Sequence, residues 1–420
     1  MAKEVFETYE SEVRSYCRKF TSVFQTAKGS KIWDEEGREF IDFFNGAGAC
    51  NYGHNNDYIK ERVIDYLQHD GILHALDMYT GAKGEFIETF QNKILKPRGL
   101  DYKMMFTGPT GTNANEAALK LARKVTGRTN VFAMMGAFHG MTLGALALTT
   151  DTSSRAGAAV PLHDVTHIPA PYMFPELDTV AYMERLVTDD HSGVDMPAAL
   201  FLETVQAEGG IYVFDPEWLR RVADFCHKYG ILLVVDDIQV GCGRSGNFFS
   251  FERAGIHPDM VTLSKSIGGY GLPMALLLLR PELDIWKPGE HNGTFRGNNL
   301  AFVAAKAAID FATSTGLYGD VKRKSAIIRE YLEKEVKPLH PGIEIRGIGM
   351  IWGIDFGKAG APGLCRKVVT ECFKNGLMIE QAGREDCVLK PMPALTIPDD
   401  ELLKGLEIIK KSAQAVLAAQ

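Results

Sequence analysis

Between about residue 100 and residue 280, short and nearly continuous apolar runs alternate with helical patterns, and this rhythm constrains the fold of the 420-residue chain more than any other feature. The runs are KMMFTG (103–108), NVFAMMG (130–136), AALFLETV (198–205), GILLVVDD (230–237), DMVTLS (259–264) and MALLLLR (274–280), with helical spacing in NANEAALKLARKVTG (113–127) and PEWLRRVADFCHKYG (216–230). Strands that are apolar on both faces need cover on both faces, so the pattern predicts a mostly parallel sheet flanked by helices. Such a sheet places its ligand beyond the carboxyl ends of its strands. Upstream, KIWDEEGREFIDF (31–43) reads as a hairpin around an Asp-Glu-Glu-Gly turn, and residues 57–68 read as an amphipathic helix. Beyond about 315, a basic helical stretch, short strands over 343–356 and a terminal helix read as a smaller α+β unit. The expected fold is α/β: an N-terminal segment (1–65) that belongs to the small domain, a large domain (66–312) and a C-terminal small domain (313–420).

Charge and cysteine usage narrow the function classes. With 46 Lys and Arg against 53 Asp and Glu, the net charge of −7 predicts no basic face for nucleic acid. The longest apolar run, MALLLLR, is too short to span a bilayer, and the first residues lack the apolar core of a signal peptide. Seven cysteines, an odd count without any Cys-x-x-Cys, point to reduced thiols in the cytoplasm. Neither a membrane partner nor a metal site is expected.

Four segments carry chemistry. In VTLSKSIGGYGLPMA (261–275), Lys265 follows an apolar strand and precedes a glycine-rich loop. An amine at a strand's carboxyl end can form an imine with an aldehyde cofactor once its pKa is lowered, although a lone lysine there is usually a surface residue. In LLVVDDIQVGCGRSG (232–246), Asp236 closes a strand 29 residues earlier, and pyridoxal phosphate needs a carboxylate near its pyridine nitrogen. Asp237, next along the strand, is expected on the opposite side. FTGPTGTNANEAALKLAR (106–123) turns through Gly and Thr into a helix, which makes either an anion cradle or an ordinary cap. In GAFHGMTLGAL (136–146), Phe138 is placed to cover a planar ring, although a single aromatic there is more often core, and His139 is more often structural than catalytic.

In this order these segments resemble the class III (ω-amino acid) aminotransferases of PLP fold type I, the aspartate-aminotransferase-like fold, over nearly the whole chain. The resemblance implies pyridoxal 5′-phosphate as cofactor. It puts Gly111 and Thr112 at the phosphate, Phe138 on the ring with His139 beside it, Asp236 at the pyridinium and Gln239 at the phenolic oxygen. Lys265 would carry the Schiff base and shuttle the proton. Glu203 and Glu208, in ETVQAEGG (203–210), fall where the family has a supporting glutamate and a substrate gate. Thr294 would reach the phosphate of a neighbouring subunit, so an obligate dimer or larger assembly follows. Within the family, SEVRSYC (11–17), NYGHNN (51–56), ILKPRGLDYK (94–103) and RPELDIWKPGEHNGTFRGNNLAF (280–302) are similar to members that move an amino group from glutamate to L-aspartate 4-semialdehyde. Those members yield 2-oxoglutarate and L-2,4-diaminobutyrate on the way to ectoine.

Three positions depart from the family pattern. Met141 and Lys390 stand where many relatives carry carboxylate-binding arginines, and Arg296 stands where many have glycine. Lysine is a point charge rather than a bidentate fork, so the carboxylate grip must differ. Glu208 is expected to cover Lys390, and Arg296 forms either an interface salt bridge or a cation offered to the neighbouring site. Three other readings stay open: a class III enzyme for ornithine or 4-aminobutyrate, a PLP aminomutase, racemase or decarboxylase, and a non-catalytic binding protein on the same scaffold.

Overall fold

The computed structural model describes residues 3–419. Seven strands build the central sheet: β1 (Lys103–Phe106), β2 (Val131–Met134), β3 (Val165–Ile168), β4 (Ala199–Leu202), β5 (Leu232–Asp236), β6 (Met260–Leu263) and β7 (Leu276–Leu279), in the order β1-β7-β6-β5-β4-β2-β3. Every neighbouring pair is parallel except those of β7, which runs antiparallel to β6 and β1. The mostly parallel sheet is therefore present with one reversal. The six apolar runs are six of these strands. β3 escaped the pattern because its VTHI carries Thr and His and it lies half-buried at the sheet edge.

Helices cover both faces, as strands buried on both sides require. Helix α1 (Gly111–Thr126) packs through Ala117, Ala118, Leu121 and Ala122 against Val131, Phe201, Val234 and Met260. Helix α2 (Pro216–Tyr229) buries Trp218, Leu219, Val222, Phe225 and Cys226, the i, i+4, i+7 stripe of its sequence, against the opposite face with Leu233, Val235 and Val261. Its start is fixed by Asp215, whose side chain accepts from Glu217 N and Trp218 N, and its end by Gly230 at φ 58°. Alternate residues of β5 thus face opposite layers, which places Asp236 on the α1 side and Asp237 on the other.

Near the N-terminus, Lys31–Asp34 and Glu39–Asp42 form the expected hairpin, with Ile32 opposite Phe40, and a further strand, Phe24–Lys28, extends it. Leu377–Met378 joins this sheet beside Ile41 and Asp42. The helix read at 57–68 is Asp57–Gln68. A second four-stranded sheet, Glu344–Ile348, Ile351–Asp355, Val388–Lys390 and Glu380–Ala382, shares its apolar core with the helices Leu317–Tyr331, Leu364–Lys374 and Asp399–Ala418. In it Glu380 and Lys390 are cross-strand partners. Among the described residues no single helix is long and apolar enough to cross a membrane.

Candidate active site

A cavity of about 250 Å³ opens at the carboxyl ends of β2, β4, β5 and β6 and at the amino end of α1. Ten of the residues singled out from the sequence line it: Gly111, Thr112, Phe138, His139, Met141, Glu203, Glu208, Asp236, Gln239 and Lys265. A larger surface groove of about 710 Å³ lies elsewhere, along Asp77, Trp286 and Arg296.

Asp236 is held from three sides. Its Oδ2 accepts from Asn115 Nδ2 (2.7 Å) and His139 Nδ1 (2.8 Å), and its Oδ1 accepts from Ile238 N (3.1 Å). An acceptor-only carboxylate fixes the proton of His139 on Nδ1. Burial opposes charging of the imidazole, but the hydrogen bond and charge of Asp236, with the charge of Glu203, win and raise its pKa. Asp237 faces away and accepts from Ser250 N (3.0 Å), and burial pushes its carboxyl up to about 7.

Lys265 follows β6 at φ 53°, a left-handed conformation uncommon for a residue with a Cβ. Its Nζ makes no hydrogen bond or ion pair among the described residues. Burial depresses its pKa, and the Lys390 charge adds to the effect against the pull of Glu208. The amine is thus predisposed to be neutral and nucleophilic.

The amino end of α1 has no side-chain cap; Asn113 N donates to Thr110 O (3.1 Å), whereas the N–H groups of Gly111 and Thr112 are not satisfied by the helix itself. The loop carrying Phe138 and His139 lies close against it. A Cβ on Gly140, at φ 136°, would come within 2.4 Å of Thr112 Oγ1. Glu203 ties this loop to the next segment, with Oε1 accepting from Phe138 N (3.1 Å) and Oε2 from Ala207 N (3.2 Å); burial raises its carboxyl to about 7. Gln239 donates its amide to Ala47 O and Glu208 Oε1 (3.0 Å each), which leaves Oε1, an acceptor, as its unpartnered atom.

Lys390 does not line the cavity but is fully buried behind Glu208, whose Oε1 lies 2.6 Å from Nζ. The structure adds a partner that sequence reading missed: Glu380 Oε1, 2.9 Å from the same nitrogen. The signal was present as a charge at each end of IEQAGREDCVLK, which folds as two paired strands around a Gly383 turn. Met141 lines the cavity mouth and is 55% exposed. Thr294 and Arg296 lie outside the cavity. Thr294 is exposed, and Arg296 donates to His291 O (3.1 Å) and Asn292 Oδ1 (3.3 Å) without a carboxylate partner among the described residues.

With this geometry in place, the comparisons are specific. The family profile described as Aminotransferase class-III matches residues 14–413. This chain belongs to the class III aminotransferases. Its family cofactor is pyridoxal 5′-phosphate, and the fold is that of PLP fold type I, as the motif order indicated. This class III aminotransferase is 54% identical over 416 residues, 98% of its length and 96% of the relative's, to the diaminobutyrate–2-oxoglutarate transaminase of Halalkalibacterium halodurans. It is 53% identical over 415 residues to the protein of the same name from Wolinella succinogenes, covering 98% of this chain and 96% of that one. Among solved structures it resembles the ornithine aminotransferase of Toxoplasma gondii, with TM-score 0.85, 26% identity, and coverage of 99% of this chain and 93% of that one. A Bacillus anthracis aminotransferase shares the fold at TM-score 0.88 and 22% identity over 98% of this chain and 97% of that one.

Proposed function

We propose that this aminotransferase moves an amino group reversibly between L-glutamate and L-aspartate 4-semialdehyde, giving 2-oxoglutarate and L-2,4-diaminobutyrate, the committed step toward ectoine. The observation that carries the chemistry is the unpartnered amine of half-buried Lys265 in one cavity with Asp236 and the uncapped end of α1. The substrate pair rests on the named relatives at about half identity over the full chain.

The residues fit pyridoxal phosphate. The first turn of α1, at Gly111 and Thr112, offers N–H groups and a positive dipole end to a phosphate. Asp236, oriented by Asn115 and His139, presents a fixed negative charge suited to a protonated ring nitrogen. Phe138, whose N–H is held by Glu203, would cover the ring with His139 next to it, and the Gln239 amide would serve the phenolic oxygen by turning from Ala47 or Glu208. When bound, the cofactor supplies an aldehyde that carries the amino group and a ring that accepts electron density from the reacting carbon. Lys265 Nζ would be the group that holds and moves the proton at the substrate's reacting carbon.

Glutamate presents a carboxylate on its reacting carbon, whereas diaminobutyrate presents only hydrogen there. Glu208, paired with Lys390 and partly open to the cavity, closes that cation to the diamine and moves aside for glutamate. Lys390→Met should cost the glutamate half-reaction about 2–4 kcal/mol more than the diaminobutyrate half-reaction. Because it strands the buried carboxylate of Glu380, it should also lower stability by roughly 3–5 kcal/mol. Single-turnover absorbance traces with each amine test both the substrate pair and the cover. Equal losses would reject the cover, and no reaction of wild type with diaminobutyrate would reject the substrate assignment.

We further infer that a second copy completes the site and that Thr294 and Arg296 act on the neighbour. Tyr79, Met78, Leu73 and Phe295 are exposed on two segments in contact: His74 meets Phe295 edge-on, Ala75 N donates to Gly297 O, and Gly293 lies beside Gly108, three residues before α1. Apolar exposure of this kind calls for a partner. Sedimentation of the holoenzyme as a single-chain species would reject the assembly.

A further inference from the structure

The two carboxylates on Lys390 differ in freedom. Glu208 sits at the tip of a short hairpin, Val205–Gln206 with Tyr212–Val213; its side chain is 31% exposed and faces the cavity. Glu380 is 3% exposed, lies directly across the ladder from Lys390 and does not line the cavity, so its carboxylate has neither solvent nor cavity to swing into. One is a movable cover and the other a fixed counter-charge. Ionised, Glu208, Lys390 and Glu380 sum to a net charge of about −1.

The two proposed amine donors load this cluster differently. Diaminobutyrate brings no carboxylate beside its reacting carbon, so Glu208 stays on Lys390. Glutamate brings its α-carboxylate to Lys390 while Glu208 swings into the same cavity, which adds one negative charge within reach of Glu380. A like charge arriving next to a carboxylate that cannot move favours its protonation.

We propose that Glu380 takes up one proton when the dicarboxylate donor binds and none when the diamine binds, so that it is a positioning residue that makes carboxylate recognition by Lys390 depend on pH. This rests on the substrate reading given above. The groups facing Glu380 are Lys390 and Glu208, with Lys265 and the phenol of Tyr16 farther off. Burial already lifts the Glu380 carboxyl, Glu208 adds to the lift, and Lys390 and Lys265 oppose it. Its Oε1 lies 2.9 Å from the Lys390 ammonium, so protonation becomes easier only when that ammonium is shared with a second carboxylate.

The sign follows from linkage. A complex that binds an extra proton weakens as pH rises, so the glutamate KM should climb by up to about tenfold per pH unit above the pKa of Glu380 in the free holoenzyme. Glu380→Gln, neutral at every pH, should flatten that climb. Its kcat, and its diaminobutyrate KM at each pH, should stay within about twofold of wild type. A residue that merely anchors Lys390 would leave the glutamate slope intact and raise both KM values together, which would overturn the proposal.

A second measurement does not depend on the variant folding or on turnover. Glutarate, a dicarboxylate without an amine, is titrated calorimetrically into wild-type holoenzyme at about pH 8 in two buffers of different ionisation enthalpy. Net proton uptake, up to one per site, is expected, and none would overturn the proposal. If wild type fails to transaminate diaminobutyrate, the substrate reading falls, while glutarate still reports on Glu380.

Discussion

Replacing Lys265 with alanine is expected to end steady-state transamination, with a loss on the order of 10⁴-fold or more. No other amine of the cavity can take over. Lys390, the nearest cation in the charge network, is fully buried behind Glu208 and ion-paired to two carboxylates, which hold its pKa above the ordinary lysine value. Lys265 has the opposite environment: it is unpaired, its pKa is depressed by burial, and its left-handed backbone aims it from the end of β6 into the cavity. The variant should still retain pyridoxal phosphate through the α1 terminus and Asp236, so absorbance of the purified protein separates lost chemistry from lost binding. Turnover close to wild type in that variant would remove Lys265 from its role.

Asp236→Asn should cost about 10²-fold or more in turnover, several kcal/mol of transition-state stabilisation, with little change in shape. The substitution deletes the negative charge facing the cavity and also the charge that raises the pKa of buried His139. An amide can offer only its oxygen to the two donors, Asn115 and His139, so its NH₂ must turn toward Ile238 N, a donor. Asp237→Asn is the control and should keep activity within about threefold, because that side chain faces Ser250 on the other side of the sheet. Its carboxyl, raised to about 7, lets the folded protein hold a proton that the unfolded chain releases near 4. Its contribution to stability is therefore full in acid and lost as pH rises toward 7, a dependence that Asn should remove from the melting profile. A larger activity loss for Asp237→Asn than for Asp236→Asn would invert the strand assignment.

The residues lining the cavity were legible because they sit where elements change: Asp236 at a strand end, Lys265 just past one, Gly111 and Thr112 at a helix start. Apolar runs reveal the strands, and polar residues that interrupt them reveal the site. Strand register also followed from alternation alone, as Asp236 and Asp237 demonstrate. What stayed hidden depends on pairing between distant or weakly patterned segments. Glu380 becomes a partner of Lys390 only through a ladder that no periodicity announces. The edge strand β3 and the outer strand Phe24–Lys28 carry too many polar residues to stand out. Arg296 bonds only within its own loop in a single chain, so its reading waits on a second copy.

The Glu208–Lys390 contact joins residues 182 positions apart. A chain emerging from the ribosome can pair β1 to β7 and close most of the cavity while Glu208 still has no cation, since Lys390 belongs to a strand made near the end of synthesis. Contacts so distant in sequence form late because their loop must close first. An incomplete chain would therefore present Lys265 and the uncapped end of α1 without the cation proposed to recognise glutamate, so the proposed substrate discrimination would be the last property acquired as the chain folds.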